Sequence, residues 1–189
     1  MNIYLLTYNN AMCVLPGMIR HVSCGWSNTS ASDFNPQFMY DILWEKIMPT
    51  TDQSIIVDAP VADVWSRFIN FHDLSWAPNV ISNVEKVGDI DGGTPGARRI
   101  LNNVFHETLI EINSDKHFLR YSIDDGPSPV SKAEVDDYVG VVSLKPSAEG
   151  NGTLVGWTSS WESKSDDAVE FCHGIYVALL GELANSFKP

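Results

Sequence analysis

Positive charge is scarce in this chain. Twelve Lys and Arg stand against 24 Asp and Glu, for a formal net charge of −12 and an isoelectric point near 4.6. Such a field repels nucleic acid and anionic membrane surfaces, so neither is expected as a partner. Cysteine is scarce too: Cys13, Cys24 and Cys172 form no C-x-x-C pair, and an odd number gives no disulfide framework. A reduced, cytoplasmic setting is the expectation. No apolar run approaches the ~18 residues that a spanning helix needs. The run from Ala11 to Leu15 is shorter than a usual secretory apolar region and stops at Pro16, so the chain reads as neither anchored nor exported. No Gly-rich loop follows a strand, because Gly88 to Gly96 precedes one, which disfavours nucleotide binding. His72, Asp73, His117 and His173 lack zinc-ligand spacing. Neither a metal nor a cofactor is expected.

What the chain does have is apolar and aromatic residues, 44% and 11% of 189 residues, enough for one well-buried domain. Its centre of organisation is Thr94 to Asp124. Three strands are predicted there, at Ala97 to Leu101, Val104 to Ile112 and Phe118 to Ile123, split by turns at Asn102-Asn103 and at Asn113-Ser114-Asp115. In the third, Leu119, Tyr121 and Ile123 fall on one face and Arg120, Ser122 and Asp124 on the other, so one face is buried. Arg99 and Glu107 share parity with the apolar Ala97, Leu101, Phe105 and Leu109. A charge aimed inward needs a partner or a purpose. His106 has the opposite parity and reads as an outer-face histidine.

Residues 1 to 50 differ in kind, with isolated aromatics among Asn, Ser and Gly and no sustained period. They read as a poorly ordered or non-native extension, with Met48 as a candidate initiator and a turn or two of helix from Phe38 to Ile47. The domain is expected over residues 51 to 189. Ser54 to Val57 reads as a strand. Pro60 then opens a helix whose stripe is Val61, Val64, Trp65, Phe68 and Ile69. The segment Phe71 to Pro78 reads as a short helical turn and loop, and Val80 to Val87 as a strand. After a Pro-containing loop from Asp125 to Lys132, strands follow at Val135 to Leu144, with Tyr138, Val142 and Leu144 in phase, and at Thr153 to Ser163, with Val155, Trp157 and Trp161 in phase. A long helix from Asp166 to Lys188 ends the chain. Its stripe is Val169, Cys172, Tyr176, Leu179, Leu180, Leu183 and Phe187, the longest apolar face available to cover the sheet.

Strand, helical pair, antiparallel meander and long last helix: with the motifs VDAPxxxVW (Val57 to Trp65), FxxLxWxP (Phe71 to Pro78), GAxR (Gly96 to Arg99), ExL (Glu107 to Leu109), GPxPV (Gly126 to Val130) and WxxxW (Trp157 to Trp161), this order resembles the helix-grip superfamily. That superfamily includes START domains, the birch-pollen allergen, the plant abscisic-acid receptors and the polyketide cyclase/dehydrase proteins. The resemblance covers about Asp52 to Lys188 and implies an α+β fold, a curved antiparallel sheet of about seven strands wrapped around the C-terminal helix. It also implies an internal cavity for a small hydrophobic ligand, a monomer or weak homodimer, and possible lipid transport. Trp76, Arg99, Glu107, Tyr121, Tyr138, Trp157, Trp161 and Tyr176 are then the ligand-binding candidates. Lachrymatory-factor synthase is an enzyme cousin, and matching its motifs puts Arg99, Glu107 and Tyr138 in catalytic roles if this chain is an enzyme. In that case Arg99 binds an oxygen anion, Glu107 moves a proton and Tyr138 donates to developing charge. The plain alternative is a buried Arg–Glu pair that fixes the pocket's shape, with Trp157 and Trp161 as core fillers. The latch of the hormone receptors has no match at 125 to 132, and their anchoring lysine has none near Val80 and Ile81.

Overall fold

The computed structural model describes residues 3–8, 11–16, 47–148, 150 and 152–188. The chain divides into two units, Met1–Tyr40 and Asp41–Pro189. In the first, β1 (Ile3–Tyr8) and β2 (Ala11–Pro16) pair antiparallel, Tyr8 opposite Ala11. The sequence reading assigned nothing here, because the apolar residues of both segments run together instead of alternating. Of the helical turn expected from Phe38 to Ile47, all but Ile47 lies outside the described residues, and Ile47 forms a two-bond bridge to Ser163 (2.8 and 3.1 Å).

The second unit is built on seven strands: β3 (Thr50–Val57), β4 (Val84–Val87), β5 (Arg98–Leu101), β6 (Phe105–Asn113), β7 (Phe118–Asp125), β8 (Val135–Pro146) and β9 (Thr153–Ser163). They form one antiparallel sheet in the order β3-β9-β8-β7-β6-β5-β4, a meander closed at one edge by the first strand of the unit. A short helix, α1 (Val61–Trp65), follows β3, and a long one, α2 (Ala168–Asn185), ends the unit. The sheet curves about α2, which buries Ala168, Cys172, Tyr176, Leu179, Leu180 and Leu183. This is the expected helix-grip architecture.

Local departures from the sequence reading have physical causes. β3 starts four residues before Ser54. Its leading TTDQ looks too polar for a strand, yet Thr51 and Gln53 point inward, 5% and 7% exposed, with hydrogen-bond partners inside. Val80 to Ser82 is not strand, because Asn102 holds it as a turn: its Oδ1 accepts from Ser82 N (2.8 Å) and its Nδ2 donates to Val80 O (3.0 Å). After α1 the chain tightens to three-residue hydrogen bonds, Arg67 N to Val64 O and Phe68 N to Trp65 O, so Trp65, Phe68 and Phe71 face inward and Ile69 is 47% exposed. Ile69 therefore leaves the predicted stripe. At the other turn, Asn102 and Asn103 take φ of 52° and 63°, the left-handed pair that Asn tolerates and a tight hairpin requires.

One irregularity aims a side chain. Between the pairs Asp136↔Glu162 and Val139↔Ser160, β8 has one residue more than β9, and Asp137 takes φ 52°. This bulge reverses the alternation. Tyr138 and Val142 thereby face the core with Val135, although Val135 and Tyr138 differ in parity.

Candidate functional site: a cavity between sheet and helix

Between the concave face of the sheet and α2 lies a cavity of about 140 Å³. Apolar side chains make most of its wall, among them Leu101, Phe105, Ile123, Val130, Ile175 and Leu179. Besides Asn102, two sets of polar groups interrupt it.

The first is an ion pair. Arg99 on β5 and Glu107 on β6 are direct cross-strand partners, and Arg99 Nε donates to Glu107 Oε2 at 2.7 Å. Both residues are only 6% exposed. Arg99 is held from its other side by Phe71: Nη1 donates to the Phe71 carbonyl, and the guanidinium carbon lies 3.7 Å from the ring centroid. With the fork so engaged, Arg99 is a rigid wall. Burial pushes the Glu107 carboxyl above the usual range, an effect that outweighs the opposing pull of Arg99, and the nearby Asp124 adds to it.

The second is a row of hydroxyls. Trp157 Nε1 donates to Tyr121 Oη (3.0 Å), Tyr121 donates to Tyr176 Oη (3.0 Å), and Tyr176 and Tyr138 share a hydrogen bond of 2.7 Å. All four residues line the cavity. Burial, first of all, holds Tyr121, Tyr138 and Tyr176 in the phenol form. Tyr121 reaches α2 only because Gly140 lies opposite it on β8: a Cβ there would sit 2.3 Å from the ring's Cζ.

Of the residues expected at the site, Arg99, Glu107, Tyr121, Tyr138, Trp157 and Tyr176 all border this one cavity. Two do not. Trp161 is fully buried behind Tyr138, stacked on it at 5.1 Å and 5°. It supports the wall. Trp76 borders a separate void of about 20 Å³ near Phe68 and Arg67, and its Nε1 donates to Arg67 O (3.2 Å). The FxxLxWxP loop turns it away from the main cavity. His106 is exposed, as its parity required. Among the described residues there is no cluster of three His, Cys, Asp or Glu placed to hold a metal ion, and no helix is long and apolar enough to cross a membrane.

A family model described as polyketide cyclase / dehydrase and lipid transport matches residues 48–188. The chain belongs to that family. A search among curated proteins found no match. Among solved structures, a protein of Nitrosospira multiformis is 48% identical with a TM-score of 0.72, over 74% of this chain and 97% of that one. Ginseng major latex-like protein 151 from Panax ginseng is 14% identical, TM-score 0.61, covering 75% of this chain and 99% of its own. Truncated norcoclaurine synthase from Thalictrum flavum is 13% identical, TM-score 0.59, covering 74% and 93%. At such identities the last two show the fold alone, the helix-grip architecture of the birch-pollen-allergen type. Membership of a cyclase and lipid-transport family, with a cavity in the domain, supports ligand binding as the general role.

Sequence reasoning missed several members of this polar site in the polyketide cyclase / dehydrase and lipid transport domain. Phe71 reads as an ordinary core aromatic, and nothing local marks its carbonyl as a partner of Arg99. Outside the cavity lining, Thr51, Gln53, Ser159 and His173 form a second polar row, Thr51 bonded to Ser159 (2.7 Å) and Gln53 to both Thr51 (3.2 Å) and His173 (2.8 Å). The inward parity of Ser159 with Trp157 and Trp161 was the available signal. Gln53 and His173 stand 120 positions apart, and no local pattern links them.

Proposed function

We propose that the domain binds, and carries, a compact, largely apolar molecule inside the cavity. The cavity supports this reading. Its 140 Å³ compares with the roughly 150 Å³ of an engineered apolar cavity that takes up benzene. The ligand is therefore of one-ring size unless loops open. Its apolar body packs on Leu101, Ile175 and Leu179, and its polar group meets either the Arg99–Glu107 pair or the tyrosines, the few convergent polar groups typical of such sites. The same reading takes the protein as a cytoplasmic monomer or weak homodimer that engages neither nucleic acid nor membranes. Its acidic net charge of −12 and the free, buried Cys172 are in keeping with that.

Native mass spectrometry of the purified protein, followed by thermal shifts with benzene and indole, tests it. Ligand at one hundred times its Kd adds about 2.7 kcal/mol of stability, a clear rise in Tm. Ile175→Trp, which fills the space, should abolish the rise. No co-purified molecule, and no shift with either probe, would reject the reading.

A second reading, a cofactor-free cyclase, dehydratase or isomerase using Arg99, Glu107 and Tyr138, is favoured by one observation: the buried Glu107 carboxyl has its pKa raised beside a fixed cation. Glu107→Gln separates the two. A carrier loses affinity modestly and shows no chemical defect, whereas an enzyme loses about 10²- to 10⁴-fold in turnover with substrate binding kept. Mass analysis of the bound molecule before and after incubation reads out the difference.

A further inference from the structure

Of the described residues around the cavity only Arg99 and Glu107 carry charge, and at 2.7 Å the two cancel. The rest of the wall is apolar side chains, phenols, an indole, an amide and a thiol. A third charge brought into such a space would stand uncompensated. In a low-dielectric site an isolated ion is neutralised by a proton shift rather than tolerated.

Which charge can enter depends on which wall group can change its own. A cationic guest would need a group that loses a proton. Arginine does not give one up in a protein, and burial holds Tyr121, Tyr138 and Tyr176 as phenols and pushes the Cys172 thiol up. An anionic guest needs a group that gains a proton, and Glu107 is the carboxylate on the wall.

The neighbours of the pair favour that gain. Lys86 is the register partner of Arg99 on β4, and His72 Nε2 bonds the Arg98 carbonyl at 3.1 Å, but neither lines the cavity. On β7 the register partner of Glu107 is the apolar Ile123, followed by Asp124, another acid. Arg99 is therefore the cation bonded to Glu107, and burial already outweighs its pull on that carboxyl. A second carboxylate beside it pushes further in the same direction, because two acids sharing one guanidinium cannot both stay ionised. Once Glu107 is neutral, the field of Arg99 falls on the guest, while the carbonyl and ring of Phe71 keep the guanidinium in place.

We infer that the cavity takes up a weak acid of one-ring size as its anion together with one proton, which Glu107 accepts. The proton comes from solvent and forms an O–H bond on the Glu107 carboxyl, and no other covalent bond changes. This rests on the cavity reading above and names its ligand class.

The test compares benzoate with its neutral isostere benzamide on the full-length protein. Titration calorimetry in buffers of different ionisation enthalpy should show about one proton taken up per benzoate and none per benzamide. Benzoate affinity is full where Glu107 of the free protein is already protonated. Above that titration its Kd should rise about tenfold per pH unit, with the benzamide Kd nearly level. The infrared bands of carboxyl-labelled benzoate should be those of a bound carboxylate. Glu107→Gln leaves the Arg99 charge uncompensated, so benzoate should bind it without proton uptake and at least about tenfold tighter than wild type above the titration. Benzamide, the neutral case treated above, should weaken only modestly. The wild-type measurements decide the matter even where the variant does not fold. Proton uptake that persists in Glu107→Gln would overturn the inference and leave the cavity reading standing, as would benzamide binding beside benzoate that binds wild type without uptake or not at all. Failure of both probes to bind would overturn both.

Discussion

Gly140→Ala is the smallest change that should disturb the site. Gly140 lies directly opposite Tyr121 in the β7–β8 ladder. An added Cβ would stand 2.3 Å from Cζ, 2.5 Å from Cε1 and 2.6 Å from the hydroxyl of that ring. Ordinary contact begins near 3.4 Å, so the ring must retreat by about 1 Å. It is 1% exposed, and its hydroxyl is bonded to Trp157 and Tyr176 at 3.0 Å each. The empty space beside it lets the ring move, but only by giving up those bonds. Overpacking costs about 1 to 3 kcal/mol, and each lost hydrogen bond about 0.5 to 1.5 kcal/mol. A total of about 2 to 6 kcal/mol is expected, read as a lower urea midpoint with an unchanged slope. The near-ultraviolet circular dichroism of Trp157 should change with it. In a Tyr121→Ala background the clash is gone, and Gly140→Ala should cost less than about 1 kcal/mol, a coupling that a double-mutant cycle isolates. Equal penalties in the two backgrounds would refute the reasoning.

Three further outcomes are expected. Leu183, fully buried on α2, should cost about 2 to 5 kcal/mol on truncation to Ala, seen in the denaturant midpoint. Removing residues 1–40 should leave Tm within a few degrees, whereas extending the deletion through Gln53 strips half of β3 and should abolish the cooperative transition. Asp73 accepts from Ser75 N (2.9 Å), and that bond holds its carboxyl below the ordinary 3.8. Its contribution is therefore present above the ordinary value and lost as pH falls through the lowered one. Asp73→Ala should cost under about 1 kcal/mol at pH 7, the group being largely in solvent, and the difference from wild type should close on acidification.

The sheet and last helix were readable because each carries its own period. Thr153 to Ser163 alternates without a break, and the stripe from Cys172 to Leu183 fits one helical face. Arg99 and Glu107 were found by the same logic, since a charge in phase with buried neighbours is conspicuous, and the two turned out to pair across the ladder. What escaped depends on contacts between distant segments. The TTDQ start of β3 is a strand only because Ser159 and the Trp157 carbonyl, more than a hundred positions away, satisfy its inward polar groups. Trp161 and Trp157 have the same parity and the same local sequence signal. Only the packing of Tyr138 over Trp161 puts one against the cavity and the other behind it. The turn at Val80 to Ser82 likewise needs Asn102.

The cavity's two polar groups differ in how they are held. A buried ion pair is seldom a net stabiliser: a well-packed apolar pair of equal volume does as well or better, while removing one partner alone strands the other at about 3 to 5 kcal/mol. Arg99 and Glu107 are locked besides by Phe71, which leaves little freedom for either to reorient toward a guest. The tyrosine row is different. Its bonds link β7, β8, β9 and α2, so one displaced hydroxyl shifts the others. Reaching Glu107, by contrast, means competing with a guanidinium at 2.7 Å. Under the proposed binding role the ion pair therefore acts on a neutral guest as a fixed field rather than as a hydrogen-bond partner.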